Sequence, residues 1–270
     1  KSFCGELDSS DIGRARSPDN RSLVDSIAEA GYTGAPFRRD PSRHIAYLEG
    51  HIEQGPRLEA ARLRLGVVTG IVGIRRFRIV ATGQADHAGT TPIPLRKDAV
   101  RAAVAIAHWV HETLPRLASG ETVWNVGVIN VKPNAANVVP AAAEIVVEFR
   151  DLSIELLDHI ERELLATVQR LDGKAGVSVA AAPIARIEPT LMADRLQELI
   201  EGTAQSAGIA SMRMPSGAGH DAMTVGRHMP AGMLFIPSIG GRSHDIVEDT
   251  PEADILLGCD ILAGVIDALA

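Results

Sequence analysis

The chain has 270 residues, 46% hydrophobic and 23% charged, which is typical of one large or two medium-sized globular domains. A net charge of −7 argues against a nucleic-acid partner, and no apolar run is long enough to cross a membrane. The two cysteines, Cys4 and Cys259, can form neither a disulfide framework nor a cysteine-rich zinc site, and the lack of a secretory signal predicts a cytoplasmic protein.

The first predicted strand is a short, mostly apolar run at residues 44–50, of the kind that is buried in parallel sheets. After it, the segment 72–183 is predicted to form a separate small domain. Its pattern switches between periods of two and 3.6, which predicts, in order, strands and helices at 75–81, 95–118, 122–131, 143–150, 153–172 and 177–181. This β-α-β-β-α-β order is that of a ferredoxin-like sandwich.

Apolar residues recur at intervals of three and four along the first of these helices. The predicted buried face comprises Val100, Ala103, Val104, Ala107, Val110 and Leu114. The basic side chains around this domain are predicted to be solvated and without function: Arg75, Arg76, Arg78, Arg96, Lys97 and Arg101.

A second apolar run at 231–237, with helices predicted at 193–207 and 253–270, completes an α/β layer. Residues 1–71 and 184–270 are therefore predicted to form one α/β domain that the sandwich interrupts. In such sheets the chemistry lies at the carboxyl ends of the strands.

His51 and His244 follow the two predicted parallel strands and are candidate metal ligands. Each one taken singly also fits a structural histidine at a strand end. Two histidines are too few for a closed metal site, so carboxylates would have to complete it.

Three further segments contain candidate site residues. His87 lies in a loop of small residues, and Asn137 and Arg150 could together bind a carboxylate, because they offer an amide donor and a planar fork of donors. The glycine loop that contains Gly219 lacks the lysine and spacing of a phosphate-binding loop, so a substrate loop with His220 paired to Asp221 is favoured. Each of these residues also fits an ordinary turn or strand end.

Taken together, five motifs resemble the amidase, hydantoinase and carbamoylase branch of the M20 metallopeptidase family. They are LEGHIEQGP at 48–56, DHAGTTP at 86–92, NVVP at 137–140, SGAGHD at 216–221 and SH at 243–244. The resemblance implies a hydrolase with two divalent metal ions, Zn²⁺, Mn²⁺ or Co²⁺, that activate water. It also implies a catalytic α/β domain of the di-metal aminopeptidase type, interrupted by a lid that is the dimerisation surface.

The resemblance assigns roles to individual residues. His51 and His244 would each bind one metal, and His87 would polarise the scissile carbonyl in the partner subunit of a homodimer. The substrate carboxylate would be held by Asn137 and Arg150. Gln54, Gly219 and His220 would line the pocket.

The chain departs from the family pattern at its start. The family's His-x-Asp motif, its bridging Asp and its Glu-Glu pair lie upstream of the region that residue 1 resembles. With two of five expected ligands and no catalytic base, the chain is expected to be a C-terminal portion that is inactive alone and binds little metal.

Three hypotheses follow. The first is a portion of an amidohydrolase that cleaves N-carbamoyl amino acids or allantoate-type ureido acids. The second is a non-catalytic dimerisation or binding module from a truncated gene. The third is an M20 dipeptidase or acyl-amino acid hydrolase.

Overall fold

The computed structural model describes residues 1–32, 39–40 and 42–270. The chain forms two compact units. The first unit comprises residues 1–69, 191–214 and 219–270, and the second comprises residues 70–190 and 215–218. In the described part of the chain, no helix combines the length and apolarity needed to span a bilayer.

The helices are α1 (Ser9–Arg14), α2 (Leu23–Glu29), α3 (Arg57–Ala61), α4 (Ala99–Glu112), α5 (Leu114–Leu117), α6 (Ile154–Leu171), α7 (Asp194–Ser206), α8 (Asp221–Val225) and α9 (Glu252–Leu269). The strands are β1 (Tyr47–Ile52), β2 (Leu65–Ile71), β3 (Gly73–Thr82), β4 (Asp86–His87), β5 (Val123–Lys132), β6 (Val138–Val139), β7 (Ala142–Asp151), β8 (Ser178–Ile187), β9 (Thr190–Leu191), β10 (Ser211–Ser216) and β11 (Ala231–Ile236).

The five-stranded sheet, which lies mainly in the first unit, is mixed. Its strand order is β1-β11-β2-β10, and β9 also pairs with β2. As predicted, the two apolar runs pair in parallel as β1 and β11, whereas β11 pairs with β2 in antiparallel orientation. All of β11 is buried, and α7 and α9 both contact it. Leu65, Ile200, Leu234, Ile261 and Val265 are among the buried residues of this core.

The second unit is an antiparallel sheet covered by two helices. Its strand order is β5-β7-β3-β8, and α4 and α6 pack against it around a single apolar core. Alternate positions of β3 and β7 are buried, among them Phe77, Ile79, Ile145 and Phe149. The predicted β-α-β-β-α-β order is therefore confirmed, and the chain has a mixed α/β fold.

The first helix of this unit differs from the prediction. It begins at Ala99 rather than residue 95, because the Asp98 side chain accepts a hydrogen bond from the Val100 amide and caps the helix. The buried face is rotated: Ile106 and Trp109 are buried, whereas Val104 is 60% exposed. The large side chains determine which face packs on the sheet, and the sequence period alone did not resolve this.

The prediction that Arg75 is solvated was wrong. Arg75 alternates with Phe77 on the core face of β3 and is fully buried. Its guanidinium donates to Asp158 (2.9 Å), to Glu161 (3.1 Å) and to Glu188 (3.1 Å). A buried charge persists only when it is paired, and these three carboxylates provide the pairing.

Candidate active site

His51 lies within β1, one residue before its end, rather than after it as predicted. The parallel register sets His51 beside Phe235 of β11, and their ring centroids are 6.5 Å apart. Its Nδ1 is 2.8 Å from the carbonyl oxygen of Ile52, so Nδ1 carries the proton and donates. The neutral ring therefore keeps an unprotonated Nε2, the form in which histidine binds a metal.

His220 packs against His51 with 4.6 Å between ring centroids, and its side chain is only 2% exposed. Burial lowers the pKa of His220 to about 4, and the electrostatic interaction with the neighbouring His51 acts in the same direction. His220 is thus neutral at pH 7. Asp221, the partner suggested by the sequence, acts on His220 through its charge, and the carboxylate of Glu49 lies 3.9 Å from Nδ1 of His220.

Glu49 joins this group from β1. It accepts a hydrogen bond from the Ala222 amide at the start of α8, at 2.8 Å. Burial, followed by the charge of Glu49, raises the pKa of Tyr47 to about 12. Strand β1 and the start of α8 are therefore tied together around the two histidines.

The loops that follow β1 and β11 are joined to each other, as expected for neighbouring parallel strands. The Glu53 amide donates to the Ile236 carbonyl at 2.8 Å, and the Gln54 amide donates to the buried Ser238 hydroxyl at 2.9 Å. Gln54 has a φ of 56°, in the left-handed region that is unfavourable for most residues. Such strain is concentrated at functional sites and here coincides with a predicted substrate residue.

His244 also has a left-handed backbone, with a φ of 56°, and it is exposed. Its amide donates to Glu248 at 2.9 Å. Glu248 lines a pocket of about 480 Å³ together with His51, Gln54 and Thr250. Among residues 1–32, 39–40 and 42–270, no three His, Cys, Asp or Glu side chains are grouped as a metal site.

In the second unit, His87 lies in the small sheet formed by β4 and β6. Its Nδ1 accepts hydrogen bonds from the amides of Gly89 (3.0 Å) and Thr90 (3.2 Å). An acceptor nitrogen carries no proton, so the neutral ring has its proton on Nε2. His87 is exposed and can offer this Nε2–H as a donor.

Gly89 allows this arrangement. A Cβ at residue 89 would lie 3.1 Å from Cε1 of His87 and 3.4 Å from its Nδ1. A side chain there would crowd the ring, which would have to shift by about a few tenths of an ångström relative to the amide donors.

Asn137 lies beside His87. His87 pairs with Val138 in the β4–β6 sheet, and the Ala88 amide donates to the Asn137 carbonyl at 2.9 Å. Residues that are 50 positions apart in sequence are thereby neighbours, and both are exposed.

Arg150 is held by groups of the protein itself. Its guanidinium donates to Glu148 at 2.7 Å and to the Gly217 carbonyl at 2.6 Å. The side chain is 28% exposed, so part of it stays accessible. The predicted carboxylate-binding arginine is therefore oriented and already next to one carboxylate.

Residues 21–268 match the family described as Peptidase family M20/M25/M40. The chain belongs to this family. It is 34% identical to the allantoate amidohydrolase of Bacillus subtilis, over 98% of this chain and 65% of that relative. It is 32% identical to an N-carbamoyl-L-amino acid amidohydrolase of Geobacillus stearothermophilus, over 94% of this chain and 63% of that relative.

Among solved structures, an amidase of the hydantoinase/carbamoylase family from Burkholderia phymatum superposes with a TM-score of 0.92 at 40% identity. The match covers 99% of this chain and 65% of that one. The chain thus spans about two thirds of the length of these M20 relatives. The resemblance drawn from the five motifs is confirmed at the level of the family.

Sequence reasoning did not single out several residues of this M20 chain that hold the candidate site in place. These are Glu49, Gly89, Arg96 and Ser238. The glutamate had a weak signal, because a carboxylate two positions before a candidate ligand shares its side of the strand. Arg96 and Ser238 bond to backbone groups, and Gly89 acts through the absence of a side chain, so no side-chain pattern reveals them.

Proposed function

We propose that the chain is the C-terminal portion of a metal-dependent amidohydrolase. The bond cleaved would be the linear C–N amide bond of N-carbamoyl amino acids or allantoate-type ureido acids. The observation that carries the proposal is the neutral His87, whose Nε2–H is free to donate beside Asn137. Relatives named allantoate amidohydrolase and N-carbamoyl-L-amino acid amidohydrolase support the choice of substrate class.

His87 would donate to the carbonyl oxygen of the scissile bond. As that carbon becomes tetrahedral its oxygen gains negative charge, and a positioned donor stabilises this charge more than it stabilises the substrate. The Gly89 and Thr90 amides fix the tautomer that makes this donation possible.

Arg150 and Asn137 would bind the carboxylate of the substrate. The planar guanidinium suits a carboxylate, and Asn137 adds an amide donor. Gln54, Gly219 and His220 would line the site, and the low pKa of His220 keeps that side chain uncharged near neutral pH.

The cofactors would be two divalent cations, Zn²⁺, Mn²⁺ or Co²⁺. His51, through its unprotonated Nε2, and His244 would contribute ligands to them. The remaining ligands and the general base are not among the predicted site residues of this chain, and they would come from other parts of the enzyme. The chain alone is therefore proposed to be inactive.

The second unit would be the lid and would form a homodimer. The two edge strands of its sheet differ in how well they are protected against pairing with a strand of another chain. Edge strand β8 contains Pro183 and Arg186, which discourage pairing, whereas β5 contains no proline and only the terminal Lys132 as a charge. An apolar groove of about 330 Å³ between α4 and β5, with Val104 and Ile129 exposed, extends the unprotected edge.

Two alternatives remain as outcomes of the test. This unprotected edge also suits a non-catalytic dimerisation module, and other M20 hydrolases cleave dipeptides or acyl-amino acids. A cytoplasmic location is proposed along with the enzyme, since Cys4 and Cys259 are free thiols.

The test is an assay of ammonia release from N-carbamoyl-L-amino acids and allantoate, with dipeptides and acyl-amino acids assayed for amine release. It uses the chain and any longer polypeptide that its reading frame encodes, each loaded with Mn²⁺ or Zn²⁺. We expect hydrolysis of carbamoyl or ureido substrates only by a longer polypeptide, reduced at least about 100-fold by His87→Ala. The matched control, His159→Ala on α6 of the same unit, should retain activity.

Other results would overturn the proposal. Turnover of dipeptides or acyl-amino acids alone would favour the third hypothesis. The absence of a longer reading frame, together with no turnover, would favour the dimerisation module. Full activity of His87→Ala would remove the role of His87.

A further inference from the structure

Arg96 was predicted to be a solvated side chain, and the structure contradicts this. It lies between a 3₁₀ turn at Ile93–Leu95 and the start of α4, and it is half-buried. Its Nε donates to the Thr91 carbonyl at 2.9 Å, and its Nη2 donates to the Ala88 carbonyl. A single guanidinium therefore bonds to two backbone carbonyls of the His87 loop.

The two carbonyls lie on either side of the segment that contacts His87. Residues 88 and 91 bracket Gly89 and Thr90, whose amides both donate to Nδ1 of His87. Arg96 thus holds both sides of the short segment that fixes the tautomer of His87. Its side-chain hydrogen bonds go to the backbone of the loop and not to the imidazole.

The other restraints on this loop act elsewhere. The Thr91 amide donates to the His87 carbonyl at 3.0 Å, and the Ala88 amide donates to Asn137. These bonds fix the start of the loop. The carbonyls of Ala88 and Thr91 accept their side-chain hydrogen bonds from Arg96. Two hydrogen bonds from one rigid, charged fork restrict a loop more than two independent neutral bonds, and lysine cannot reproduce the geometry.

We propose that Arg96 is a positioning residue that keeps the Gly89 and Thr90 amides directed at Nδ1 of His87, and so keeps its Nε2–H available as a donor. The consequence for catalysis rests on the proposed function. The positioning itself is a property of this chain.

The experiment is NMR spectroscopy on the 270-residue chain labelled with ¹⁵N-histidine, with the His87 signals assigned from His87→Gln. In the parent chain, long-range ¹H–¹⁵N spectra should show a single neutral tautomer with the proton on Nε2. In Arg96→Ala and in Arg96→Lys, the Nδ1–H tautomer should appear. Amide exchange at Gly89 and Thr90, measured in uniformly ¹⁵N-labelled chain, should become at least about tenfold faster, since charged groups form the stronger hydrogen bonds.

The matched control is Arg101→Ala, an exposed arginine on the same helix, which should leave the tautomer and the exchange rates unchanged. If Arg96→Ala does not fold, Arg96→Lys is the deciding variant. An unaltered tautomer and unaltered exchange in folded Arg96 variants would refute the positioning role. The two tests are independent. Failure of the positioning role would not contradict the proposed hydrolase activity, and failure of the activity assay would not contradict the positioning role.

Discussion

At the scale of residues, several polar side chains form hydrogen bonds and ion pairs with partners that the sequence did not predict. Arg75 shows this in the second unit, because its charge is buried and three carboxylates compensate it. The histidines show it in the candidate site. A carbonyl acceptor gives His51 one tautomer, and two amide donors give His87 the other.

Arg75→Met should destabilise the chain by about 2 kcal/mol, because Asp158, Glu161 and Glu188 lose the buried one of their two arginine partners and keep only the half-exposed Arg186. Urea unfolding monitored by circular dichroism measures the effect. The control is Arg78→Met, whose side chain is 54% exposed and pairs with Glu144 on the sheet surface. It should cost less than about 1 kcal/mol. Equal effects of the two variants would contradict the energetic importance of burial.

The ion pair between Arg75 and Asp158 predicts that the free energy of unfolding depends on pH. The hydrogen bond from Arg75 lowers the pKa of Asp158 below its ordinary value of 3.8. A lowered folded-state pKa contributes stability that is fully present above pH 3.8 and is lost as the pH falls through the folded value. The difference in unfolding free energy between the parent chain and Arg75→Met should therefore shrink on acidification below pH 3.8. A difference that stays constant down to pH 2 would be inconsistent with this linkage.

At the scale of elements, helix ends were more predictable than helix faces. Ser153 was expected to begin a helix, and its hydroxyl caps α6 by accepting from the Leu156 amide at 3.1 Å. The predicted buried face of α4 was partly wrong, because Val104 borders an exposed groove and not the core. A cap is a local interaction, whereas a face is selected by everything that packs against it.

Ser153→Ala should lower the unfolding free energy by about 1 kcal/mol through loss of this cap. Ser153→Asn retains a capping oxygen and should cost only a few tenths of that amount. Thermal and denaturant unfolding of the two variants provide the comparison. If Ala and Asn proved equivalent, the cap would not contribute to stability.

At the scale of the whole molecule, the predicted site residues are divided between the two units. The first unit contains His51, Gln54, Gly219, His220 and His244, and the second contains His87, Asn137 and Arg150. These residue roles remain predictions. The second unit has a complete core and one unprotected sheet edge, which is the physical basis for the proposed homodimer.

The dimer is tested by substituting matching residues at opposite edges of the sheet. Ile129 on β5 is 57% exposed and Ile184 on β8 is 51% exposed. By sedimentation velocity, the parent chain and Ile184→Asp should be dimeric and Ile129→Asp monomeric, because a charge on a paired edge is not tolerated. A monomeric parent chain, or a dimer that survives Ile129→Asp, would rule out pairing through β5.

The sequence by itself determined the family, the mixed α/β class, the parallel pairing of the two apolar runs and the order of elements in the second unit. These features depend on local periodicity and on motifs that are contiguous in the chain. Strand β2, an apolar run from Leu65 to Ile71, was not predicted, because two glycines interrupt its pattern.

Only the tertiary structure decided which partners each side chain meets. It put Phe235 beside His51 through strand register, and it brought Asn137 next to His87 through a two-residue strand pair. It also gave Arg75 and Arg96, both predicted to be solvated, specific partners: three carboxylates for Arg75 and two loop carbonyls for Arg96. Register and burial depend on contacts between residues distant in sequence, so tautomers and pKa values that follow from them cannot be read from the sequence.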